Sequence, residues 1–447
     1  MGKIVDRWNS AYFDNRLSPG VVAALEPLNE AGADAQAVAD RAFRLMRLAR
    51  FDPADLSALT AWSFGFVVPK VLPSAWGGVI PPVTMVNRHC KLDEYVATNP
   101  WHQPTSEPVL IELGCGFPPH TAVDSSAALP GWRVIGVDPL LDPRYVLYED
   151  QGGYACFSDE EHLSYYQTRL LELDPDPAAI KARYHRLLHR LLPLLANNST
   201  SEPAEVEQDG LRLVRDPLRR YQSDNLTLIQ GEIGSFEIEG GVDVIRCMNV
   251  LMFFDQQFRD RTLRWANGML RPGGLFICGN NWTRSTISRY TVYQEQHGKL
   301  IPREFAFSID NVRPTALTAW YALHDDYFEH LCRDEAVGIV RSDEGFRRRF
   351  DKRLDELLAQ TGMRRGIDGY LDSTNVDPFR PDLDEISASL VDQLDREGFV
   401  NEAVTVLRHA GRDAWRNTVG HIAMQPVPPR PLEASVLQDN DSGGLNN

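Results

Sequence analysis

Short apolar runs alternate with helical patterns along the middle of the chain. Five of these runs are rich in Val, Ile and Leu and lack a regular polar–apolar alternation: PVLIELG, WRVIGVD, LTLIQGE, VDVIRCMNV and GGLFICG, which begin at residues 108, 132, 226, 242 and 273. Such runs are typical of parallel strands that are buried on both faces. Between the fourth and fifth runs, Asp255 can cap a helix with an apolar stripe. The alternation predicts an α/β fold built on a parallel sheet.

The rest of the pattern predicts what surrounds this sheet. Residues 288–310 contain two strand-like runs around a glycine turn, which predicts an antiparallel hairpin and brings the sheet to seven strands. We expect a helical N-terminal region, a central domain, a helical C-terminal region and a disordered tail, at 1–105, 106–312, 313–425 and 426–447. A large insertion, at about 143–222, follows the second strand. The apolar, proline-rich stretch 61–86 is expected to be an extended segment packed against the central domain.

Charge and composition narrow the possible functions. The net charge is −16, which argues against a nucleic-acid surface because such a surface needs an excess of Lys and Arg. No secretory signal or membrane helix is predicted, and the six cysteines form no C-x-x-C pair, so we expect reduced thiols in a cytoplasmic protein. His185 and His189 are four residues apart on a predicted helix, but no further ligands accompany them and no metal site is predicted.

The stretch LIELGCGFPPH, residues 110–120, ends the first predicted strand at a glycine turn. Open α/β sheets bind ligands at the carboxyl edge of their strands, and Gly114 and Gly116 would let the backbone approach such a ligand closely. Asp138 ends the second strand, where a carboxylate can accept hydrogen bonds from ribose hydroxyls. Pro119 occupies the third glycine position of a dinucleotide-binding loop, which disfavours a nicotinamide cofactor.

These motifs resemble those of the class I S-adenosylmethionine-dependent methyltransferases. IELGCGFPP resembles motif I of that family, VIGVDP its ribose-binding acid motif and IQGEI the adenine-contacting segment after the third strand. VDVIRCMNVLMFF resembles motif IV, and the final hairpin fits the reversed last strand of the family. The resemblance implies a Rossmann-like sheet of seven strands. The resemblance covers about 108–312 and departs from the family at Pro118, where a third glycine is common.

The resemblance implies S-adenosyl-L-methionine as the cofactor and a set of residues that hold it. That set is Glu112, Gly114, Cys115, Gly116, Phe117, Asp138, Pro139, Glu232, Ile233, Asn249 and Val250. Other roles stay open for several of them: Asp138 could cap a helix, Glu232 could be a solvated acid, and Asn249 could cap a turn. Three aromatic residues before the first strand, His89, Trp101 and His102, could either cover the cofactor or pack against the domain.

A narrower likeness concerns the stretch from Cys247 to Gly279, which is similar to chemotaxis-receptor carboxyl methyltransferases. That likeness fails at motif I, and Met248 stands where that group usually has arginine. Protein carboxyl methylation is therefore one alternative function, and a non-catalytic, cofactor-binding regulatory protein is another.

Methyl transfer from a sulfonium is an in-line displacement, so the protein has to align the reactants and exclude water, and no catalytic triad is expected. We expect a small organic or peptide acceptor over the fourth and fifth strands, because the candidate covering segments are rich in aromatic and amide side chains. One of them, Tyr145–Tyr166 in the insertion, is predicted to be a lid that cofactor binding does not require.

Overall fold

The computed structural model describes residues 3–48, 50–58, 61, 84–150, 152–167, 177–197, 203–313, 328–362, 364–365, 371–372, 383–426 and 436. Most of the apolar stretch 61–86 and most of the tail 426–447 lie outside these described residues. The packing predicted for the first and the disorder predicted for the second therefore stay predictions.

The described chain contains both helices and strands, numbered here in chain order. The helices are α1 (Ile4–Phe13), α2 (Pro19–Leu25), α3 (Ala33–Leu48), α4 (Cys90–Thr98), α5 (His120–Ala128), α6 (Pro177–Asn197), α7 (Gln256–Met269), α8 (Phe328–Ser342), α9 (Glu344–Gln360), α10 (Leu383–Arg396) and α11 (Phe399–His409). The strands are β1 (Val109–Leu113), β2 (Arg133–Asp138), β3 (Tyr145–Glu149), β4 (Tyr154–Phe157), β5 (Leu163–Gln167), β6 (Glu205–Gln208), β7 (Leu211–Arg215), β8 (Leu226–Gln230), β9 (Val242–Met248), β10 (Leu270–Asn280), β11 (Arg289–Gln296), β12 (Lys299–Phe307), β13 (Arg364–Arg365), β14 (Leu371–Asp372), β15 (Ala414–Arg416) and β16 (Ile422–Met424).

The main sheet has the strand order β15-β16-β12-β11-β10-β9-β1-β2-β8. The five strands from β8 to β10 are parallel, as their continuous apolar sequences predicted. The next strand, β11, runs antiparallel to β10 and forms the predicted hairpin with β12. These are the seven strands that the sequence predicted.

The prediction of seven strands is nevertheless wrong by two, because β15 and β16 extend the sheet to nine. Both strands come from the C-terminal region, and β16 pairs antiparallel with β12. The region 313–425 is therefore not wholly helical. Strands of three residues carry no periodic sequence signal, although pairing β16 with β12 covers an edge of β12 that would otherwise be open.

A second sheet lies between β2 and β8 in the stretch predicted as an insertion. It is antiparallel, with the order β5-β4-β3-β7-β6. Helix α6 packs on one face of this sheet through Tyr184, Leu188 and Leu191. The other face packs against Phe117, at the end of the glycine turn that follows β1. The insertion is thus a folded unit with two covered faces.

Helices flank the main sheet and bury its apolar side chains. Helix α7 connects β9 to β10, and its predicted N-cap is confirmed because the Asp255 carboxylate accepts a hydrogen bond of 2.7 Å from the Phe258 amide. Helices α4 and α5 cover the opposite face through a core that includes Leu92, Tyr95 and Ala122. Helices α1–α3 form their own core around Trp8 and Phe43, and helices α8, α9 and α11 pack on β12.

Candidate functional site

The glycine turn after β1 has the backbone that its sequence predicted. Gly114 and Gly116 have φ angles of 70° and 65°, in the left-handed region that side chains rarely adopt. The Gly114 amide donates to the Val137 carbonyl at 2.8 Å, so the turn folds back onto the end of β2. A Cβ atom at Gly114 would collide with Cγ2 of Val250, which follows β9. The turn therefore lies between the carboxyl ends of β2 and β9.

Asp138 holds this turn from the end of β2. Its Oδ2 accepts a hydrogen bond of 3.0 Å from the Gly116 amide, and its Oδ1 accepts one of 2.8 Å from the Leu140 amide. Burial raises the pKa of Asp138, while these two amides oppose the rise. No helix begins at Asp138, so the alternative role as a helix N-cap is wrong. Each oxygen has further lone-pair capacity for a ligand donor.

Glu112 lies beneath the turn in a buried charged network. Its Oε2 accepts a hydrogen bond of 2.5 Å from Nε of Arg246, and its Oε1 lies 3.0 Å from Nδ1 of His89. Arg246 also donates to Asp93 at 2.7 Å and to the Ser125 hydroxyl at 2.5 Å. Burial opposes the ionisation of Glu112, but Arg246 and His89 outweigh it and lower its pKa. The network ties β1 and β9 to helices α4 and α5 directly under the candidate site.

The insertion sheet supports the turn from the other side. Phe117 is fully buried, and its carbonyl accepts a hydrogen bond of 2.9 Å from the Tyr154 hydroxyl of β4. Tyr165 of β5 packs in the same cluster. These rings belong to paired strands that contact the turn. Whether Tyr145–Tyr166 acts as a lid that cofactor binding does not require stays a prediction.

The segment 84–91 crosses the carboxyl edge of the sheet. Thr84 donates a hydrogen bond of 2.5 Å to the Pro118 carbonyl, beside the glycine turn. At the other end, the Arg88 carbonyl accepts hydrogen bonds of 2.9 Å from the Asn281 side chain and from the Ser285 amide. The segment therefore spans from the turn after β1 to the loop after β10.

Two asparagines face each other across the ends of β9 and β10. The Asn249 side chain donates a hydrogen bond of 2.8 Å to Oδ1 of Asn281, and its own Oδ1 accepts one of 3.1 Å from the Asn281 amide. Asn249 has a φ angle of 60°, which is unfavourable for any residue with a side chain other than Asn or Asp. The pair fixes the loops that border the expected acceptor position.

Several other predicted residues are also placed at this edge. Glu232 and Pro139 are exposed at the ends of β8 and β2, and Ile233 is half-buried in the core beside Val250. Cys115 is fully buried, and burial raises the pKa of its thiol, as expected for a small apolar side chain. Whether any of these residues contacts a cofactor stays a prediction.

The three aromatic residues singled out before the first strand separate in the structure. His89 is buried next to Glu112 under the site. His102 lies at the opposite edge of the sheet, where Nδ1 is 2.9 Å from the Gly273 carbonyl. Trp101 donates a hydrogen bond of 3.0 Å to Glu304 on β12. Only His89 of the three is close to the glycine turn.

The structure also contains functional candidates that sequence reasoning missed. Arg246 and Arg88 organise the site, and neither was predicted. An arginine inside the apolar run VDVIRCMNV was a usable signal, because a charge in a buried strand requires counter-charges. Arg88 carries no comparable signal, since its contacts are with a loop almost two hundred residues away.

Sites of other kinds are not seen in the described part of the chain. No group of three or more His, Cys, Asp or Glu side chains there is placed to hold a metal ion. No helix within those residues has both the length and the apolar character that crossing a bilayer requires.

Three observed features agree with the fold expected from the sequence. They are the five parallel strands with a reversed strand beside them, the glycine turn after β1 and the acid at the end of β2. The fold is therefore an α/β fold on a Rossmann-like sheet, as the sequence predicted. No family model matches the chain. A chemotaxis protein methyltransferase from Klebsiella aerogenes is 30% identical over 182 residues, which is 41% of this chain. The chain matches 58% of the length of that relative.

Solved methyltransferase structures overlap with parts of the chain. The glycopeptide N-methyltransferase MtfA in complex with S-adenosyl-L-methionine is 16% identical, with 50% of this chain and 71% of that one covered and a TM-score of 0.22. An O-methyltransferase family 2 protein from Planctomyces limnophilus, in complex with apigenin, is 17% identical, with 56% and 63% covered and a TM-score of 0.22.

Proposed function

We propose that the chain is an S-adenosylmethionine-dependent methyltransferase that acts on a small organic or peptide acceptor. The observation that carries this proposal is the glycine turn between β1 and α5, which is fastened to Asp138 by the Gly116 amide. A turn of this kind presents backbone rather than side chains at the carboxyl edge of a parallel sheet. The sequence likeness to a methyltransferase over 182 residues supports the proposal.

The residues at the edge fit the parts of this cofactor. Asp138 has lone pairs left for the ribose hydroxyls after it accepts its two amide hydrogen bonds. Ile233 offers an apolar contact for the adenine at the end of β8, and Val250 lies at the end of β9 against the glycine turn. His89 offers a buried nitrogen without a partner among the described residues.

The cofactor supplies an activated methyl group and its own leaving group, so the chain has to orient an acceptor and exclude water. The segment 84–91 and the loop after β10 border the site on the side away from Asp138. Asn249 and Asn281 hold those borders in place through their reciprocal hydrogen bonds. We place the acceptor over the ends of β9 and β10, beside these amide groups.

Protein carboxyl methylation is the second candidate, because the curated relative described above is a chemotaxis protein methyltransferase. The two candidates differ in the stability of the product. A methyl ester releases methanol in mild alkali, whereas a methylated amine or ordinary hydroxyl does not. The purified chain should be incubated with cofactor labelled in the methyl group and, in separate reactions, with the protein fraction or the small-molecule fraction of a cell extract as the source of acceptor. Label that is bound to protein and lost in alkali would favour carboxyl methylation.

The cofactor assignment is tested by calorimetry on wild-type and Asp138→Ala chains. Wild type should bind S-adenosylmethionine and S-adenosylhomocysteine but not NAD. The variant should lose about 1–3 kcal/mol of binding free energy, because ribose donors would be left unpaired in a buried site. The control is Asp142→Ala, which removes the same charge from an exposed position in the same loop and should bind like wild type. Equal affinities of Asp138→Ala and wild type would contradict the ribose assignment.

The backbone at Asn249 gives a separate prediction. In chemical denaturation, Asn249→Ala should be less stable than Asn249→Gly by about 1–2 kcal/mol, because only glycine adopts a φ angle of 60° without strain. Both variants lose the hydrogen bonds to Asn281, so their difference isolates the backbone term. If the two variants were equally stable, the left-handed conformation at this position would be refuted.

A further inference from the structure

His89 is a buried imidazole, and neither of its ring nitrogens forms a hydrogen bond with the described residues. His89 lies in the segment 84–91, immediately before α4, and is 2% exposed. Its Nδ1 lies 3.0 Å from Oε1 of Glu112. Its Nε2 is buried and has no hydrogen-bond partner among the residues that the structure describes. A buried polar atom of this kind indicates that its hydrogen-bond partner comes from elsewhere.

The surroundings define what Nε2 can do. Burial lowers the pKa of His89 more than Glu112 raises it, and the nearby Arg246 also lowers it, so the imidazole is neutral at pH 7. A neutral imidazole has one proton, and the adjacent carboxylate of Glu112 favours its placement on Nδ1. Nε2 then carries a lone pair and accepts a hydrogen bond.

The strand order places His89 at one end of the candidate site. Asp138 ends β2 and Ile233 follows β8, so the proposed ribose and adenine positions lie on the β2–β8 side. The order β9-β1-β2-β8 means that a ligand extending away from the adenine passes β1 and β9. His89 lies on that side, because it contacts Glu112 on β1, which in turn binds Arg246 on β9. The amino-acid end of the proposed cofactor therefore points toward His89.

We propose that Nε2 of His89 accepts a hydrogen bond from the α-ammonium group of S-adenosylmethionine and so positions the amino-acid half of the cofactor. The inference rests on the proposed function. At that end of the cofactor, the ammonium is the hydrogen-bond donor and the carboxylate is an acceptor, so only the ammonium complements a lone pair. The negative charge of Glu112 behind the imidazole adds to the attraction for a cation. His89 is a positioning residue, and the methyl group is transferred elsewhere in the site.

The test compares two ligands with two isosteric variants by calorimetry. The ligands are S-adenosylhomocysteine and its analogue in which the α-amino group is replaced by hydrogen. His89→Asn keeps a polar atom near the Nδ1 position and removes the atom at Nε2, whereas His89→Gln keeps a polar atom at the Nε2 position. Wild type should bind S-adenosylhomocysteine about tenfold or more tightly than the analogue, as expected for a charged hydrogen bond. His89→Asn should lose most of that preference, and His89→Gln should keep a large part of it.

Each outcome has a distinct meaning. Equal weakening of both ligands by His89→Asn would show a structural role and overturn the inference, and so would an unchanged preference. Binding of neither ligand by wild type would instead overturn the proposed function. A second measurement uses the wild-type chain with ¹⁵N-labelled histidine. The Nε2 resonance of His89 should shift when S-adenosylhomocysteine is added and stay in place when the analogue is added. A shift with both ligands, or with neither, would also overturn the inference.

Discussion

Replacing Arg246 by methionine should lower the free energy of unfolding by about 3–5 kcal/mol, because it leaves buried carboxylates without their cation. The Arg246 side chain is fully buried and bonds to Glu112, Asp93 and Ser125. Methionine has a similar volume, so the loss reports on charge rather than on a cavity. Urea denaturation followed by circular dichroism measures the change.

A matched control is Arg349→Met, since Arg349 forms an exposed ion pair with Glu402. Exposed pairs contribute little to stability, so this variant should unfold at nearly the same urea concentration as wild type. A loss of comparable size in both variants would show that the effect of Arg246 does not come from its buried network.

The contribution of Glu112 to the free energy of unfolding should depend on pH with opposite signs in wild type and in Arg246→Met. In wild type the pKa of Glu112 is below its ordinary value, so its contribution is present above the unfolded pKa and is lost as the pH falls through the folded pKa. Without Arg246, burial dominates and the pKa of Glu112 rises. The stability deficit of the variant should then shrink as the pH falls from 7 toward 5. Adding Glu112→Gln to the variant should recover part of the deficit at pH 7, and a deficit unaffected by both changes would contradict this account.

The main sheet could be predicted from sequence because strands buried on both faces have a strong signal. All seven residues of β9 are buried, and its run of apolar residues is interrupted mainly by Asp243 and Arg246. The neighbouring β15 and β16 could not be found in the same way. Their positions depend on the open edge of β12, which is known only once the hairpin has been placed.

Within the insertion, the turn between β6 and β7 gives a clearer sequence signal than the charge of β6. Glu205–Gln208 is polar and has two acidic residues, yet it is strand β6. Asp209 and Gly210 have φ angles of 52° and 73° and turn the chain into β7. An Asp-Gly pair between two short strand-like runs is a hairpin signal, and it predicts this region better than its charge does.

The candidate site divides into a part that the sequence shows and a part that it does not. The turn at Gly114 and Gly116 and the acid at Asp138 are local in sequence, so their geometry follows from glycine conformation and strand length. The partners of Glu112 are His89, just before α4, and Arg246 on β9, and both depend on the tertiary fold. These contacts of Glu112 could therefore not be predicted from sequence, and its predicted contact with the cofactor stays a prediction.

Gly116→Val should abolish detectable binding of S-adenosylhomocysteine while the chain keeps its fold. Gly116 has a φ angle of 65°, which a β-branched side chain tolerates poorly. Relaxation of that strain would pull its amide away from Asp138, to which it donates a hydrogen bond of 3.0 Å. The turn would lose its attachment to β2, and the new side chain would occupy space at the carboxyl edge. Calorimetry measures the binding, and far-ultraviolet circular dichroism with urea denaturation reports on the fold.

The control for this variant is Gly131→Val in the turn before β2. Gly131 does not have a positive φ angle, and an added Cβ atom would meet nothing within 4 Å. The same substitution there should leave both the fold and the affinity for S-adenosylhomocysteine close to those of wild type. A folded Gly116→Val chain that bound the ligand as tightly as Gly131→Val would show that the turn after β1 does not hold the cofactor. Loss of the native circular dichroism spectrum in Gly116→Val alone would instead show that the turn is required for folding. Gly116→Ala, which has less strain and no β-branch, would then be measured, and it should show an intermediate loss of affinity.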